Sequence, residues 1–501
     1  MRRSVPVAAL LFCSGACALI YQTVWMRQFR LIFGASTLAT AAVLSIFMGG
    51  LGVGSAFLGK RADGRPNPLR FYGTLELSIA ATAALSQLLL WIVGRVYFGI
   101  GGSVTLGLFP ATVLRLVLAT VVIALPTFLM GGTLPAAARA TGRENIGLIY
   151  GANTLGAVTG TLLSTFWMLE HVGNRNTLLA AVAVNVVIGA IALFLQWPDV
   201  EAGFSPPGGL TAAATDVYVC AFVVGFAFLL MELVWYRMLA PLLGGTTFTF
   251  GLILAIALFG IGLGGVAFRG FGSVAGFALT CSFEAFFIAL PFALGDRLAV
   301  IANQLRPVGI LSWVILTLIV VVPAAFVSGI QFPLLISLLG RGGEDVGRHV
   351  GMAYAWNTAG AIAGSLAGGF GLLPLLSAPG AWRAVIVVLA LLGIAAAALA
   401  RSVAPAAVAV AAIAGTFALG PTAVWRHSGI GAGRAETPST KNEIRDWIRG
   451  ERRELVWDVD GRESSVALID GSDFAFIVNG KADGSARGDA GTQVMGGMVG
   501  A

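Results

Sequence analysis

The chain has 501 residues, of which 57% belong to the apolar set AVILMFWYC and only 11% are charged, and its mean hydropathy is +0.88. A water-soluble domain has no interior large enough for that much apolar surface, so an ordinary soluble protein is excluded. The net charge of +7 comes from basic residues scattered between apolar runs, not from a stripe that follows phosphates, which argues against nucleic acid as a partner.

Met1-Arg2-Arg3 precedes an apolar run that continues to Trp25 without a small-residue cleavage site or lipid-attachment box. It reads as a first span, not a removed signal. A helix rises 1.5 Å per residue and the hydrocarbon layer is about 30 Å thick, so each apolar run of roughly 20 residues is one expected span. On that basis spans are expected near 5–25, 36–59, 71–94, 111–137, 146–169 and 176–196, making residues 1–200 a first six-helix unit. A polar, Pro- and Gly-containing break from Gln196 to Gly209 reads as a linker. Further spans near 216–236, 246–268, 273–294, 308–338, 350–373 and 381–400 make 201–401 a second unit. Residues 402–425 are expected as an extra span, and 426–501 as a polar tail. Cys13, Cys17, Cys220 and Cys281 all fall within apolar runs, which suggests packing and not a disulfide framework or metal site.

The two units repeat each other. At a spacing of 210, Gly15, Leu19, Val24, Trp25, Arg27, Gly34, Thr37, Gly50, Gly52 and Gly54 meet Gly225, Leu229, Val234, Trp235, Arg237, Gly244, Thr247, Gly260, Gly262 and Gly264. Further on, Tyr150, Asn153, Thr154, Gly156, Ala157 and Gly160 meet Tyr354, Asn357, Thr358, Gly360, Ala361 and Gly364, and between these segments Glu76 meets Glu284. Six spans per unit is an even number, so both units run the same way through the membrane. The expected fold is therefore an all-α polytopic membrane protein: a major-facilitator-like bundle of two parallel six-helix repeats plus one extra span, with a small β-rich C-terminal tail. Lys60, Arg61, Arg65, Arg70, Arg139, Arg143, Arg341 and Arg348 favour a cytoplasmic position for their loops.

Gly260-Ile-Gly262-Leu-Gly-Gly265 spells a dinucleotide fingerprint, but within an apolar helix and after no strand, so these glycines are expected to serve helix packing. Gly156 with Gly160, and Gly360 with Gly364, form small-residue faces for close helix approach. His171, His349 and His427 stand far apart, without spacing for metal or triad chemistry. Ionisable groups inside the membrane usually face a bundle interior. Glu76 and Glu284, with Gln22, Glu232, Asn153 and Asn357, are thus candidates to bind a small cation, and Glu76 and Glu284 are expected to face a polar cavity between the repeats. The other reading is interhelical hydrogen bonding that only holds the bundle together.

Gly59-Lys60-Arg61-Ala62-Asp63-Gly64-Arg65 resembles the Gly-x-x-x-Asp-x-x-Gly-Arg loop of major-facilitator transporters, which implies gating by Gly59, Asp63 and Arg65. The last Gly-Arg comes one residue early, and the second-repeat counterpart is reduced to Arg269 and Gly270. In the tail, residues from Thr437 start like a capped amphipathic helix, with strands expected at Leu455–Asp458, Ser465–Asp470 and Phe474–Asn479. Gly461-Arg-Glu-Ser-Ser-Val-Ala-Leu, Phe476-Ile-Val-Asn479-Gly480-Lys481-Ala-Asp483 and Asp489-Ala-Gly-Thr492-Gln493 resemble the N-terminal β-region of spermidine synthases. Leu11 to Gly54, with Tyr21-Gln22-x-Val24-Trp25-x-Arg27, resembles the membrane part of bacterial proteins that fuse a major-facilitator unit to a polyamine aminopropyltransferase.

That resemblance implies a multi-pass protein of the bacterial inner membrane and a polyamine or similar small cation as partner. In the family a Rossmann-like domain follows the Thr-Gln segment and binds decarboxylated S-adenosylmethionine. Here the chain ends at Ala501, so the expectation is no catalytic residue, no metal and no cofactor in this chain, with Gln493 a vestige of the synthase pocket. Two functions stay open: a transporter-like protein that is catalytically incompetent as the chain stands, or a membrane-anchored aminopropyltransferase whose catalytic portion is missing or on a separate chain.

Overall fold

The computed structural model of the chain describes residues 4–34, 37–195, 197, 214–245, 247–269, 272–340, 345–428, 440–461, 464–471 and 473–500. Apart from Trp197, the expected linker from Gln196 to Gly209 lies outside the described residues, as does Gly270. The first repeat comprises α1 (Ser4–Phe33), α2 (Thr37–Asp63), α3 (Pro68–Gly99), the short α4 (Gly102–Leu106), α5 (Leu108–Gly131), α6 (Thr133–Thr141), α7 (Ile146–Leu163), the single turn α8 (Leu169–His171) and α9 (Gly173–Phe194). The second comprises α10 (Ala214–Leu243), α11 (Thr247–Ala267), α12 (Val274–Leu294), α13 (Asp296–Gln304), α14 (Ile310–Leu338), α15 (Val346–Ala367) and α16 (Leu373–Leu399). Among the described residues eleven helices are long and apolar enough to cross a membrane. The last of these, Val346–Leu399, breaks at Ser377 (φ 63°, ψ 168°) and so supplies two of the expected crossings.

The repeat seen in the sequence reappears as repeated geometry. A Cβ on Gly156 or Gly160 of α7 would overlap the carbonyls of Phe12 or Ala16 on α1, and one on Gly360 or Gly364 of α15 would overlap those of Phe222 or Phe226 on α10. Both repeats also carry one π-helical turn at matching positions, Ser164–Met168 and Gly368–Leu372. The glycines of the discarded fingerprint are packing residues: a Cβ on Gly260 would stand 2.6 Å from that of Ala325, and one on Gly264 would overlap Phe326 O.

By compactness the chain divides differently from the repeats. One unit holds 1–228, 254–280 and 325–364, and the other 229–253, 281–324 and 365–501, because second-repeat helices contribute one end to each. In the first unit, Tyr21 and Trp25 stack at 5.5 Å, and Trp25 Nε1 donates to Ser86 Oγ at 3.0 Å, so the buried indole keeps its hydrogen bond.

In the second unit, residues 402–425 do not form one continuous span. Helix α17 (Val403–Gly415) has 13 residues and a rise of about 20 Å, short of the hydrocarbon thickness. It runs back along α16, where the Arg383 guanidinium donates to Thr416 O at 3.2 Å. Gly420 (φ 73°) and Pro421 then separate it from α18 (Ala423–His427).

The tail adds α19 (Lys441–Glu454), started by a Thr440/Glu443 capping box, and strands β1 (Leu455–Asp460), β2 (Ser465–Asp470), β3 (Phe474–Val478) and β4 (Lys481–Ser485), followed by α20 (Ala490–Gly500). The strands form an antiparallel meander in order β1-β2-β3-β4, so the tail has one strand more than the sequence suggests. Asn479 (φ 48°) and Gly480 (φ 76°) make the left-handed two-residue turn that joins β3 to β4.

Buried charge fastens the tail to helix ends of its own unit. Asp460 Oδ2 accepts from Ala378 N at 2.7 Å, where α16 resumes after Ser377, and from Arg426 Nη1 at 2.9 Å. Arg426 Nη2 bonds Asp458, and His427 Nε2 lies 3.8 Å from the same carboxylate. Asp296 accepts from Thr422 N at 2.8 Å, Thr422 Oγ1 at 2.6 Å and Arg452 Nη2 at 2.8 Å. Trp425 Nε1 donates to Met238 O at 2.5 Å.

Burial holds the His427 imidazole below its usual range, and His427, with Arg426 beside it, holds the Asp458 carboxyl below its own. Between these lowered values and the ordinary ones, about 6.5 and about 4, the unfolded tail binds protons that the docked tail does not. Docking is therefore expected to weaken as pH falls below about 6.5 and again in the carboxylate range. Glu451, pushed up to about 6 by burial and by Glu454, works in the opposite sense and softens the loss. Hydrogen exchange of the β1 and β2 amides, corrected for intrinsic rates, should show less protection at pH 5.5 than at 7.5, and less of this loss in His427→Gln. Equal protection at both pH values would contradict the assignment.

Candidate functional site

The candidate site is built where first-repeat helices meet second-repeat helices inside the first unit. Helix α2 ends at Asp63 because Gly64 turns the chain and Pro66 stops the helix; Asn67 then caps α3 by accepting from Arg70 N at 3.0 Å, with Pro68 at the first helical position. This leaves Asp63 facing the start of α15. Its Oδ1 accepts from Gly347 N and its Oδ2 from Arg348 N, both at 2.8 Å, so a carboxylate sits on the partial positive charge of a helix N-terminus. Arg139 of α6 approaches to 3.7 Å from the other side.

Below this clasp the backbones of α2 and α15 touch. A Cβ on Gly347 would stand 2.5 Å from Gly59 O, one on Gly351 would overlap Ser55 O, and one on Gly52 would lie 3.3 Å from the Thr358 methyl. Ser55-x-x-x-Gly59 and Gly347-x-x-x-Gly351 thus form one antiparallel seam of small residues.

The repeat supplies a second seam between α7 and α11. A Cβ on Gly147 would stand 2.7 Å from Gly265 O, and one on Gly151 would stand 2.7 Å from Gly262 O. Beside it, Arg143 Nη1 donates to Ile336 O at 3.1 Å, and Nη2 lies 2.8 Å from His349 Nδ1. A guanidinium can only donate there, so the imidazole nitrogen is the acceptor and His349 is neutral. Tyr150 packs 4.7 Å from Phe332, which in turn meets Tyr354 at 5.9 Å. The two seams and two arginines close one end of this unit, the end that carries the basic loops.

Of the expected gating residues, Gly59 and Asp63 lie in this clasp, whereas Arg65 is exposed and stacks on Phe71 at 5.5 Å. Arg139, Arg143 and His349 were legible only as loop charge and a lone histidine. At the spacing of 210 Asp63 meets Ser273, whose Oγ accepts from Gly276 N of α12 at 3.0 Å.

The candidate membrane groups fall elsewhere. Glu76 is fully buried inside the first repeat, where Ser14 Oγ donates to Oε1 at 2.6 Å, Asn185 Nδ2 donates to Oε2, and Tyr21 OH donates to Asn185 Oδ1 at 2.8 Å. Both carboxylate oxygens are thus engaged by neighbouring helices, as in the bundle-holding reading. Glu284 on α12 is 1% exposed. Aligned through Gly15/Gly225 and Gly189/Gly393, the positions of Ser14 and Asn185 are taken by Val224 and Leu389, so the second repeat does not copy this network. Gln22 and Glu232 are half-buried at matching points of α1 and α10. Asn357 Nδ2 donates to Ala221 O at 3.1 Å across the α10–α15 crossing, and Asn153 lies against Gly15 at the matching α1–α7 crossing. Gln493 is exposed on α20 beside Gly484.

Among solved structures the chain is similar to the human organic anion transporter MFSD10 (TETRAN), with a TM-score of 0.53 at 12% identity over 79% of this chain and 99% of that one. It is also similar to a bacterial homologue of the iron transporter ferroportin in an outward-facing state, with a TM-score of 0.51 at 12% identity over 80% and 100% of the two chains. A double-tryptophan variant of XylE gives 0.50 at 13% identity over 78% and 93%. These likenesses are of fold, and the fold is that of major facilitator superfamily transporters. No protein-family model matches the chain, and no curated protein does.

Proposed function

We propose that this multi-pass membrane protein of the major-facilitator fold is an alternating-access transporter, and that the Asp63 clasp with its glycine seams is one of its gates. The supporting observation is that the contacts joining the two repeats at this end are backbone-to-backbone and held by a few polar groups, an arrangement that separates without unfolding either bundle. The basic loops favour the cytoplasmic side for this gate.

The substrate class we propose is a small cation, a polyamine being the candidate that the synthase-like segments suggest, with Glu284 and Glu232 as the groups that meet its charge. The bacterial inner membrane is proposed on the same resemblance. Glu76 is better suited to hold α1, α3 and α9 together. A second reading, an anchored aminopropyltransferase completed by a separate chain that binds decarboxylated S-adenosylmethionine, is favoured by one feature, the tail meander closed by Asn479-Gly480.

Labelled putrescine and spermidine flux into vesicles of the purified chain tests the first reading. The expected results are measurable flux, a loss of tenfold or more in Glu284→Gln with unchanged thermal melting, and a lowered melting temperature in Glu76→Ala. Absence of polyamine flux in the natural chain would remove the substrate assignment, while aminopropyl transfer on adding a partner chain would favour the second reading.

A further inference from the structure

One face of α2 is apolar and exposed. Gly50 and Gly54 of α2 press on Thr127 and Phe128 of α5, and Gly52 and Gly59 press on α15. What remains is the face of Gly49, Val53, Ala56 and Phe57, with Val53 64% and Phe57 51% exposed. Together with α15 it bounds a groove of about 540 Å³, and every residue lining it except Thr358 is apolar. The lining residues all lie in helices long and apolar enough to cross a membrane.

One end of the groove is crowned by positive charge. Lys60 continues the stripe Gly49, Val53, Ala56 at helical spacing, and Arg61 lies 4.3 Å over the ring of Phe57. On α15, which runs antiparallel, Arg348 occupies the same stripe as Ala355, Ala359 and Ile362; it is 55% exposed and pairs at 3.6 Å with the equally exposed Asp345, a surface pair that a phosphate can replace. A chain of apolar small residues ending in three cations is complementary to an acyl chain ending in an anionic headgroup.

We propose that this groove holds an acyl chain of an anionic glycerophospholipid, with its phosphate at Lys60, Arg61 and Arg348. Because α2 and α15 each supply one wall, the site exists only while the seam is closed. Lipid binding and gate closure are then linked, and each favours the other. The linkage rests on the gate reading above, whereas the lipid site itself does not depend on what the chain carries.

The test is native mass spectrometry of the full chain equilibrated with dioleoyl phosphatidylglycerol or dioleoyl phosphatidylcholine, with thermal melting alongside. The natural chain should retain phosphatidylglycerol about tenfold better than phosphatidylcholine, and glycerol phosphate without acyl chains should give no melting shift. The variant with Lys60, Arg61 and Arg348 all changed to Gln should lose the preference. Ala359→Phe, which fills the groove from an exposed position, should lose retention of both lipids, and Val53→Trp provides the same block from the other wall. Asp63→Asn, which loosens the seam, should weaken phosphatidylglycerol retention. Equal retention of phosphatidylglycerol by the natural chain and all these variants, or a melting shift with glycerol phosphate alone, would overturn the proposal.

Discussion

Replacing Gly351 with leucine is expected to force open the end closed by the α2–α15 seam. A Cβ at this position overlaps Ser55 O, a backbone atom, so no change of rotamer relieves the clash and the helices must separate. Overpacking of this kind costs about 1–3 kcal/mol, comparable with the few kcal/mol that separate two functional conformations. A shift of tenfold or more toward the open form follows, since 1.4 kcal/mol is a factor of ten. Ser55 is fully buried and its hydroxyl has no hydrogen-bond partner among the described residues, so Ser55→Cys makes a conservative reporter. With the four native cysteines replaced by alanine, its modification by a membrane-impermeant maleimide should be slow, and at least tenfold faster when Gly351→Leu is added. Gly94→Ala, whose nearest neighbour stands at 3.9 Å, should leave the rate unchanged. Equal rates in all three would mean that the seam does not govern access.

Arg426→Ala is expected to undock the tail. Arg426 is bonded to Asp458 and Asp460 and is itself buried. Removing one partner of a buried pair leaves uncompensated charge and costs about 3–5 kcal/mol. Exchange protection of the β1 amides and of Ala378 N should therefore fall by roughly two to three orders of magnitude. Changing Arg426 to Met together with Asp458→Asn and Asp460→Asn should recover much of it, because the penalty comes from unpaired charge and not from the absence of the pair. Unchanged protection in Arg426→Ala would show that Asp296 and Trp425 hold the tail alone.

What was legible in the sequence depended on distance along the chain. Apolar runs and the repeat spacing were sufficient for the spans and the matched crossings of Gly156 and Gly360, because periodicity and small-residue faces are local signals. The Asn479-Gly480 turn was readable for the same reason. Strand β4, Lys-Ala-Asp-Gly-Ser, was not: it has little strand propensity of its own and is held by pairing with β3. The shortening of α17 was hidden by an apolar run that continues past Gly415.

The site was legible only in part. Ser55-x-x-x-Gly59 and Gly347-x-x-x-Gly351 went unread as packing faces, Gly59 being expected only in a gating loop, and nothing local says that each is the other's partner, nearly 300 positions apart; Asp63 and Arg348 are separated by 285. Glu76 shows the converse. Its isolation in an apolar run suggested a cation site, and the donors that engage it lie 62 and 109 residues away on other helices. Arg143 and His349 carried no signal beyond charge, since a neutral imidazole accepting from a guanidinium is defined by geometry alone.

The proposed gate at this end of the first unit is tested most directly by its width. Spin labels on Arg65 and Arg269, both exposed and on different repeats, report its width by pulsed electron resonance in a chain whose four cysteines are replaced. Two distance populations are expected in lipid, with the longer one enriched in Asp63→Asn and further in Gly351→Leu. A single distance, the same in the natural chain and in both variants, would contradict it.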